Sequence, residues 1–227
     1  MSVARALLLD FYGTLVWEDD HIIAAICDEL LPTARDGVTQ SGIARIWWDH
    51  VSRIMRDSHG DTFLPQRETA RRSLVATLAE IGSHADPEPL LARQFAHWVA
   101  PGVFPEAAEF LAALGERDIT VCVVSNIDRR DVLCAMVHTG CRVGHLVTSD
   151  DVQSYKPRPE MFRRALDTLG LEPSEVIHVG DSRTSDVAGA TNLGIPLVWI
   201  NRTGKKITSG PLPTWTVDNR LDILNLT

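Results

Sequence analysis

Short runs dense in Val, Ile and Leu alternate along the chain with longer stretches whose apolar residues recur every three to four positions. The runs at residues 6–10, 119–125, 145–148, 175–180 and 196–200 predict strands buried on both faces, as in a parallel sheet. Amphipathic stretches at 105–116, 128–138, 159–169 and 183–193 predict helices that follow or link them. Strand and helix alternating in this order predict a doubly wound parallel α/β (Rossmann-like) sheet with right-handed crossovers.

Residues 17–100 break the alternation. Ile43, Ile46, Trp47, Val51 and Ile54 form an apolar stripe at helical spacing. Ser73, Leu74, Leu78 and Ile81 form another, which ends near Gly82, and Asp86-Pro87 opens a further helix that stops before Pro101-Gly102. The expectation is an inserted α-helical cap domain (17–100) interrupting a core domain (1–16 and 101–227). Residues 203–213, rich in Gly, Pro, Ser and Thr, predict an exposed loop.

At 227 residues, 44% hydrophobic and 23% charged, the chain has the length and balance of a globular protein with a full core. No apolar run is long enough to span a bilayer, and the short N-terminal one lacks the form of a signal peptide, so no membrane partner and a cytoplasmic location are expected. A net charge of −8 argues against a nucleic-acid surface, which needs Lys and Arg to replace phosphate counterions. Cys27, Cys122, Cys134 and Cys141 show no zinc spacing and are expected to be small buried residues in a reducing compartment. The expected partner is a small, anionic molecule, and the chain is expected to be a monomer or homodimer.

Four segments at predicted strand ends carry candidate chemistry, and ligands of open α/β sheets bind at that edge. In Asp10-Phe11-Tyr12-Gly13-Thr14 a carboxylate ends a strand before a tight turn; it suits a nucleophile, a metal ligand or a turn cap. In Ser125-Asn126 a hydroxyl and an amide can bind an anionic oxygen, although Ser-Asn-x-Asp also reads as a helix cap. Lys156, in a loop stiffened by Pro157 and Pro159, can neutralise a nucleophile and a transferring group. In Gly180-Asp181-Ser182-Arg183-Thr184-Ser185-Asp186 two carboxylates bracket a turn and suit magnesium, which takes oxygen ligands.

Together these segments resemble the haloacid dehalogenase-like hydrolase superfamily over residues 6–13 and 104–201, and the helical insertion after Thr14 looks like that family's small α-helical cap. The resemblance implies Asp10 as nucleophile, Ser125 as phosphoryl-binding hydroxyl and Lys156 as the active-site lysine. It implies Asp181 and Asp186 as the acidic metal pair, joined at magnesium by Asp10 and the Tyr12 carbonyl. Thr14, Ser125, Asn126 and Lys156 are the expected substrate contacts.

One position departs from the family's phosphatases. They carry a second aspartate two residues after the nucleophile as acid and base; here it is Tyr12, and a phenol with a pKa near 10 replaces it poorly. A tyrosine there resembles the carbon–halogen-cleaving members, which need no magnesium and carry Ser and Asn in the fourth segment, where this chain has Asp181. Those members also have a tyrosine soon after the lysine, where this chain has Met161 and Phe162. An additional buried carboxylate beside Asp10 without a cation would be costly. The expectation is therefore a magnesium-dependent phosphohydrolase forming an aspartyl-phosphate on a small phosphorylated metabolite. The alternatives are a 2-haloacid dehalogenase-like or other carbon-centred hydrolase, and an impaired ligand-binding module. Glu18, Asp19, Asp20 and His21 are the nearest candidates for a replacement acid, and Trp17, Trp47, Trp48, His50, Arg53 and Arg56 for the cap lining.

Overall fold

The computed structural model describes residues 4–226. Its centre is β1 (Ala6–Leu9), four residues with no solvent exposure. Successive side chains of a strand point to opposite faces. Leu7 and Leu9 accordingly join one apolar cluster with Phe110 and Val132, while Ala6 and Leu8 join the other with Phe162 and Val187. Both faces are covered by helices, which is why the strand reads as unbroken Ala and Leu.

The strands β2 (Thr120–Ser125), β3 (His145–Thr148), β4 (Val176–Gly180), β5 (Leu197–Ile200) and β6 (Trp215–Val217) complete a parallel sheet of order β3-β2-β1-β4-β5-β6. The order reverses direction at β1 and β4, so the crevice at their carboxyl ends is where the topology opens a site. β6 was not expected from the sequence. It has three residues, none of them buried, and so carries no dense apolar run.

Four helices, α1 (Asp20–Leu30), α2 (Gln40–Asp57), α3 (Gln66–Ile81) and α4 (Pro87–Val99), form the insertion after β1. They share an apolar cluster of their own, built on Ile26, Ile43, Trp47, Leu74 and Trp98. The remaining helices are α5 (Ala107–Glu116), α6 (Arg129–Thr139), the short α7 (Ser149–Val152), α8 (Glu160–Leu169) and α9 (Ala188–Asn192). The expected helix at 183–193 is not continuous: a π-helical turn, Arg183–Val187, precedes α9.

Asp128 precedes α6, yet its side chain does not cap that helix. It instead accepts from the backbone N–H groups of Gln66 and Arg67 at 2.5 and 3.1 Å, satisfying the first turn of α3 in the insertion. The Arg67 guanidinium then makes a two-pronged pair with buried Asp131 of α6, at 2.7 and 2.8 Å. These bonds tie the helical insertion to the sheet. All four cysteines are free; three are buried as expected, but Cys134 is exposed. Among the described residues no helix is long and apolar enough to cross a membrane. Residues 203–213 hold no regular element and are largely exposed.

The turn after β1 is held from behind. Arg202 donates to the Gly13 carbonyl and Arg220 to the Thr14 carbonyl, and both guanidinium groups lie over the Phe104 ring, at 3.9 and 4.6 Å. Arg220 has no exposure and pairs with Glu106 at 2.9 Å. Replacing it by Met leaves the Glu106 carboxylate without its cation and the Thr14 carbonyl with Arg202 alone. Arg220→Met is expected to lower stability by about 2–4 kcal/mol in urea unfolding; a loss below about 0.5 kcal/mol would show that the clamp carries no weight.

Candidate functional site

Asp10 is the first residue past β1, and its N–H still donates to Val179 O of β4 at 2.9 Å. The chain then closes a tight turn, with Leu15 N–H donating to Phe11 O and Gly13 N–H to Val16 O, both at 2.8 Å. Gly13 has φ +78°, and a Cβ there would lie 2.5 Å from a carboxylate oxygen of Asp181. Glycine thus serves twice: it permits the left-handed backbone and leaves room for Asp181 to reach Asp10's turn. Gly180 makes room in the same way for Asp186, whose carboxyl occupies the space a Cβ would need.

Lys156 joins the segments. Its Nζ donates to Asp10 Oδ1 at 2.6 Å, to Asp186 Oδ1 at 2.7 Å and to Val124 O at 3.0 Å, using all three protons. Asn126 Oδ1 accepts from the Lys156 N–H at 2.8 Å, and its amide donates to Lys156 O at 3.4 Å. The Asn126 side chain therefore positions the lysine loop while one amide proton remains for a ligand, whereas the ammonium has none left. Ser125, at the end of β2, is 1% exposed, and its Oγ accepts from Ile127 N–H at 3.3 Å. Its own proton remains available toward the cavity it lines.

Asp186 accepts from Lys156, from His178 Nε2 at 3.0 Å and from Ser182 N–H at 3.0 Å. Burial alone would raise its pKa, but Lys156 and His178 outweigh that and hold it well below the ordinary carboxylate range. Burial likewise opposes the Lys156 charge, and Asp10 and Asp186 outweigh it, so the ammonium stays above its usual range. His178 is lowered, first by burial, and stays neutral. For Asp10 and Asp181 the lysine does not outweigh burial. Burial, then neighbouring carboxylates, raises Asp10 to about 8 in spite of Lys156, and Asp181 to about 7.

Asp10, Asp181 and Asp186 each place a carboxylate oxygen within 4.8 Å of the others'. Three carboxylates against one ammonium leave two formal negative charges uncompensated. An all-oxygen donor set with that excess fits a hard divalent cation. Asp10 and Asp181 offer oxygens free of internal donors, whereas Asp186 is largely committed to Lys156, His178 and Ser182.

The cluster floors a cavity of about 390 Å³ whose walls include Tyr12, Ile23, Trp47, Val51, Met55 and Trp98. Tyr12 is 4% exposed, and its hydroxyl donates to Trp98 O of α4. Burial, then nearby acids, pushes the phenol far above its usual value. Its side chain is a fastener between turn and insertion and keeps its proton, committed to Trp98 O, at neutral pH.

Several sequence expectations are corrected. Thr14 is fully buried and does not line the cavity; only its carbonyl has partners, the two arginines behind the turn. Arg53, Arg56 and Trp17, which packs on Gly102, are exposed and outside the cavity, and half-buried His50, which pairs with Glu80 at 2.8 Å, lies outside it too. His21 meets His97 edge-on, with ring centroids 5.0 Å apart. Glu18, Asp19, Asp20, Trp47 and Trp48 do line the cavity. His178 and Gln94 were missed. Their signal is present: His178 interrupts an apolar strand run, and Gln94 lies on the stripe Leu91, Gln94, Trp98 that faces the interior.

The raised pair sets a pH dependence. Their folded-state pKa values lie above the unfolded ones, so cation-free stability falls as pH rises from about 4 to about 8. A cation that binds the ionised forms reverses this. Magnesium is expected to raise Tm more at pH 8 than at pH 5; an equal shift at both would contradict the assignment.

A sequence profile of the haloacid dehalogenase-like hydrolases matches residues 4–194. An (S)-2-haloacid dehalogenase of Pseudomonas sp. (strain YL) is 28% identical over 100% of this chain and 95% of its own length. A phosphoglycolate phosphatase of Rhodospirillum rubrum is 28% identical over 86% of this chain and 78% of its own. The crystal structure of an L-2-haloacid dehalogenase superposes with a TM-score of 0.82 at 22% identity, covering 99% of this chain and 98% of that one, a likeness of fold. The chain belongs to the haloacid dehalogenase-like hydrolases.

Proposed function

We propose that the chain is a magnesium-dependent hydrolase that transfers a phosphoryl group from a small molecule to Asp10 and then to water. The observation that carries this is the uncompensated carboxylate set of Asp10, Asp181 and Asp186 around a single lysine. Metal-free, Asp10 is half protonated near pH 8 and a poor nucleophile at neutral pH. A divalent cation on Asp10 and Asp181 would lower both pKa values and offset charge on the transferring group.

Asp10 then attacks phosphorus, forming an aspartyl-phosphate as the bond to the leaving oxygen breaks. Lys156, held by Asp186 and Asn126, keeps a fixed positive charge beside the nucleophile. Ser125 donates to a phosphoryl oxygen. Tyr12 cannot protonate the leaving group, so good leaving groups are favoured. Glu18 is the acid at hand: it lines the cleft while keeping solvent contact, and enclosure, then Asp181, Asp19 and Asp10, raises its carboxyl well above the ordinary value. Water next cleaves the phosphorus–oxygen bond to Asp10, releasing phosphate and restoring the carboxylate.

A second activity, metal-independent displacement of halide from a 2-haloacid, is supported by Tyr12 and by the full-length dehalogenase relative, and the relatives favour it at least as well as phosphoryl transfer. Against it stands Asp181, an extra carboxylate that such a displacement does not use. One assay separates the two. The account expects magnesium-dependent phosphate release from an aryl phosphate, lost at least about 10³-fold in Asp10→Asn, and kept within about tenfold in Tyr12→Phe. Halide release from 2-chloropropanoate, unaffected by chelator, would replace phosphoryl transfer with the second activity.

A further inference from the structure

The cavity above the carboxylates has a marked asymmetry. Its upper wall presents the rings of Trp47 and Trp98 with Ile23, Val51 and Met55. Neither indole offers a polar edge, because Trp47 Nε1–H donates to Ser73 Oγ at 3.1 Å and Trp98 Nε1–H to Asp19 Oδ2 at 2.8 Å. With the Tyr12 hydroxyl also taken up, the surface that these three buried rings leave to a ligand is apolar.

Two lining residues, Gln66 and Gln94, leave a buried amide oxygen without a donor, and Gln94 is the one beside Trp98 and Asp19. Gln94 is 6% exposed, and its Nε2 donates to Asp19 Oδ2 at 2.8 Å, which fixes the orientation of the amide. Its Oε1 is buried without a hydrogen-bond partner. A buried carbonyl in that state lacks a donor, and a ligand N–H or O–H supplies one.

Charge makes the asymmetry sharper. Six carboxylates line the cavity, from Asp10, Glu18, Asp19, Asp20, Asp181 and Asp186, and Lys156 is the one cation among its described lining residues. The three protons of Lys156 are all donated within the protein. A second anionic group on a substrate, away from the reacting centre, therefore finds no cation and several like charges.

Resting on the phosphoryl-transfer assignment above, we propose that the substrate's leaving group is an apolar body bearing a hydrogen-bond donor, an amine best and a hydroxyl next, and carrying no second anion. Phosphate esters of apolar amino alcohols belong to this class; phosphorylated carboxylic acids and bisphosphates do not. Gln94 and Asp19 receive the donor, and the Trp47 and Trp98 faces receive the apolar body.

The test uses three probes of one size that lack any scissile bond: 2-phenylethylamine, 2-phenylethanol and 3-phenylpropanoate. Their binding to the full chain with magnesium is followed by tryptophan fluorescence and calorimetry. The amine and the alcohol are expected to bind at least tenfold more tightly than the carboxylate. In Gln94→Met, which keeps the volume and removes the acceptor, the amine is expected to lose at least fivefold. Equal or tighter binding of the carboxylate, or no binding of any probe, would overturn the proposal, as would unchanged amine affinity in the variant. The wild-type ranking stands even if the variant fails to fold. Because nothing is cleaved, the ranking does not depend on which bond the enzyme breaks: phosphate release with no such ranking would leave phosphoryl transfer intact and sink this inference alone.

Discussion

The ammonium of Lys156, clamped between Asp10 and Asp186 under the carbonyl of Val124, is the interaction around which the site is organised. A buried lysine is costly unless fully paired, and its three acceptors come from separate segments. Asp10 follows β1, Val124 lies in β2, and Asp186 sits in the π-helical turn after β4. The parallel order of the sheet brings those three strand ends side by side, so the fold and the charge cluster require each other. His178 extends the network into the core and keeps Asp186 ionised without adding charge.

Compensation stops two charges short. Lys156 and His178 satisfy Asp186, while Asp10 and Asp181 remain raised, an imbalance sited where Gly13 has made space for Asp181. Perturbed carboxylates in a cleft are a common mark of function. Above them the insertion contributes mainly aromatic surface and acid, and it is pinned by contacts that leave the cavity floor alone: Asp128 and Asp131 to α3, and Tyr12 to α4. The position that would carry a proton shuttle has thereby become a structural join.

Much of this was legible in the sequence. β1 through β5 show as dense aliphatic runs because both faces of the sheet are covered; Asp10, Ser125, Asp181 and Asp186 stand out at or just past such runs, and Lys156 by the prolines that follow it. What was hidden depends on contacts distant in sequence. Asp128 looks like the cap of the helix it precedes and instead caps one 62 residues earlier. Thr14 looks like a site residue by proximity, yet the turn carries its side chain away from the cavity. Arg202 and Arg220 lie in a polar tail whose role emerges only when Phe104 and the Gly13 and Thr14 carbonyls surround them. β6 is too short and too exposed to announce itself.

The central claim is that Asp10 and Asp181 hold protons which a divalent cation displaces. Calorimetric titration with manganese at pH 7, in two buffers of unequal ionisation enthalpy, measures this directly. One ion per chain is expected, with net proton release, and both are expected to vanish in Asp181→Asn. Binding without proton release, or binding that survives that substitution, would contradict the account.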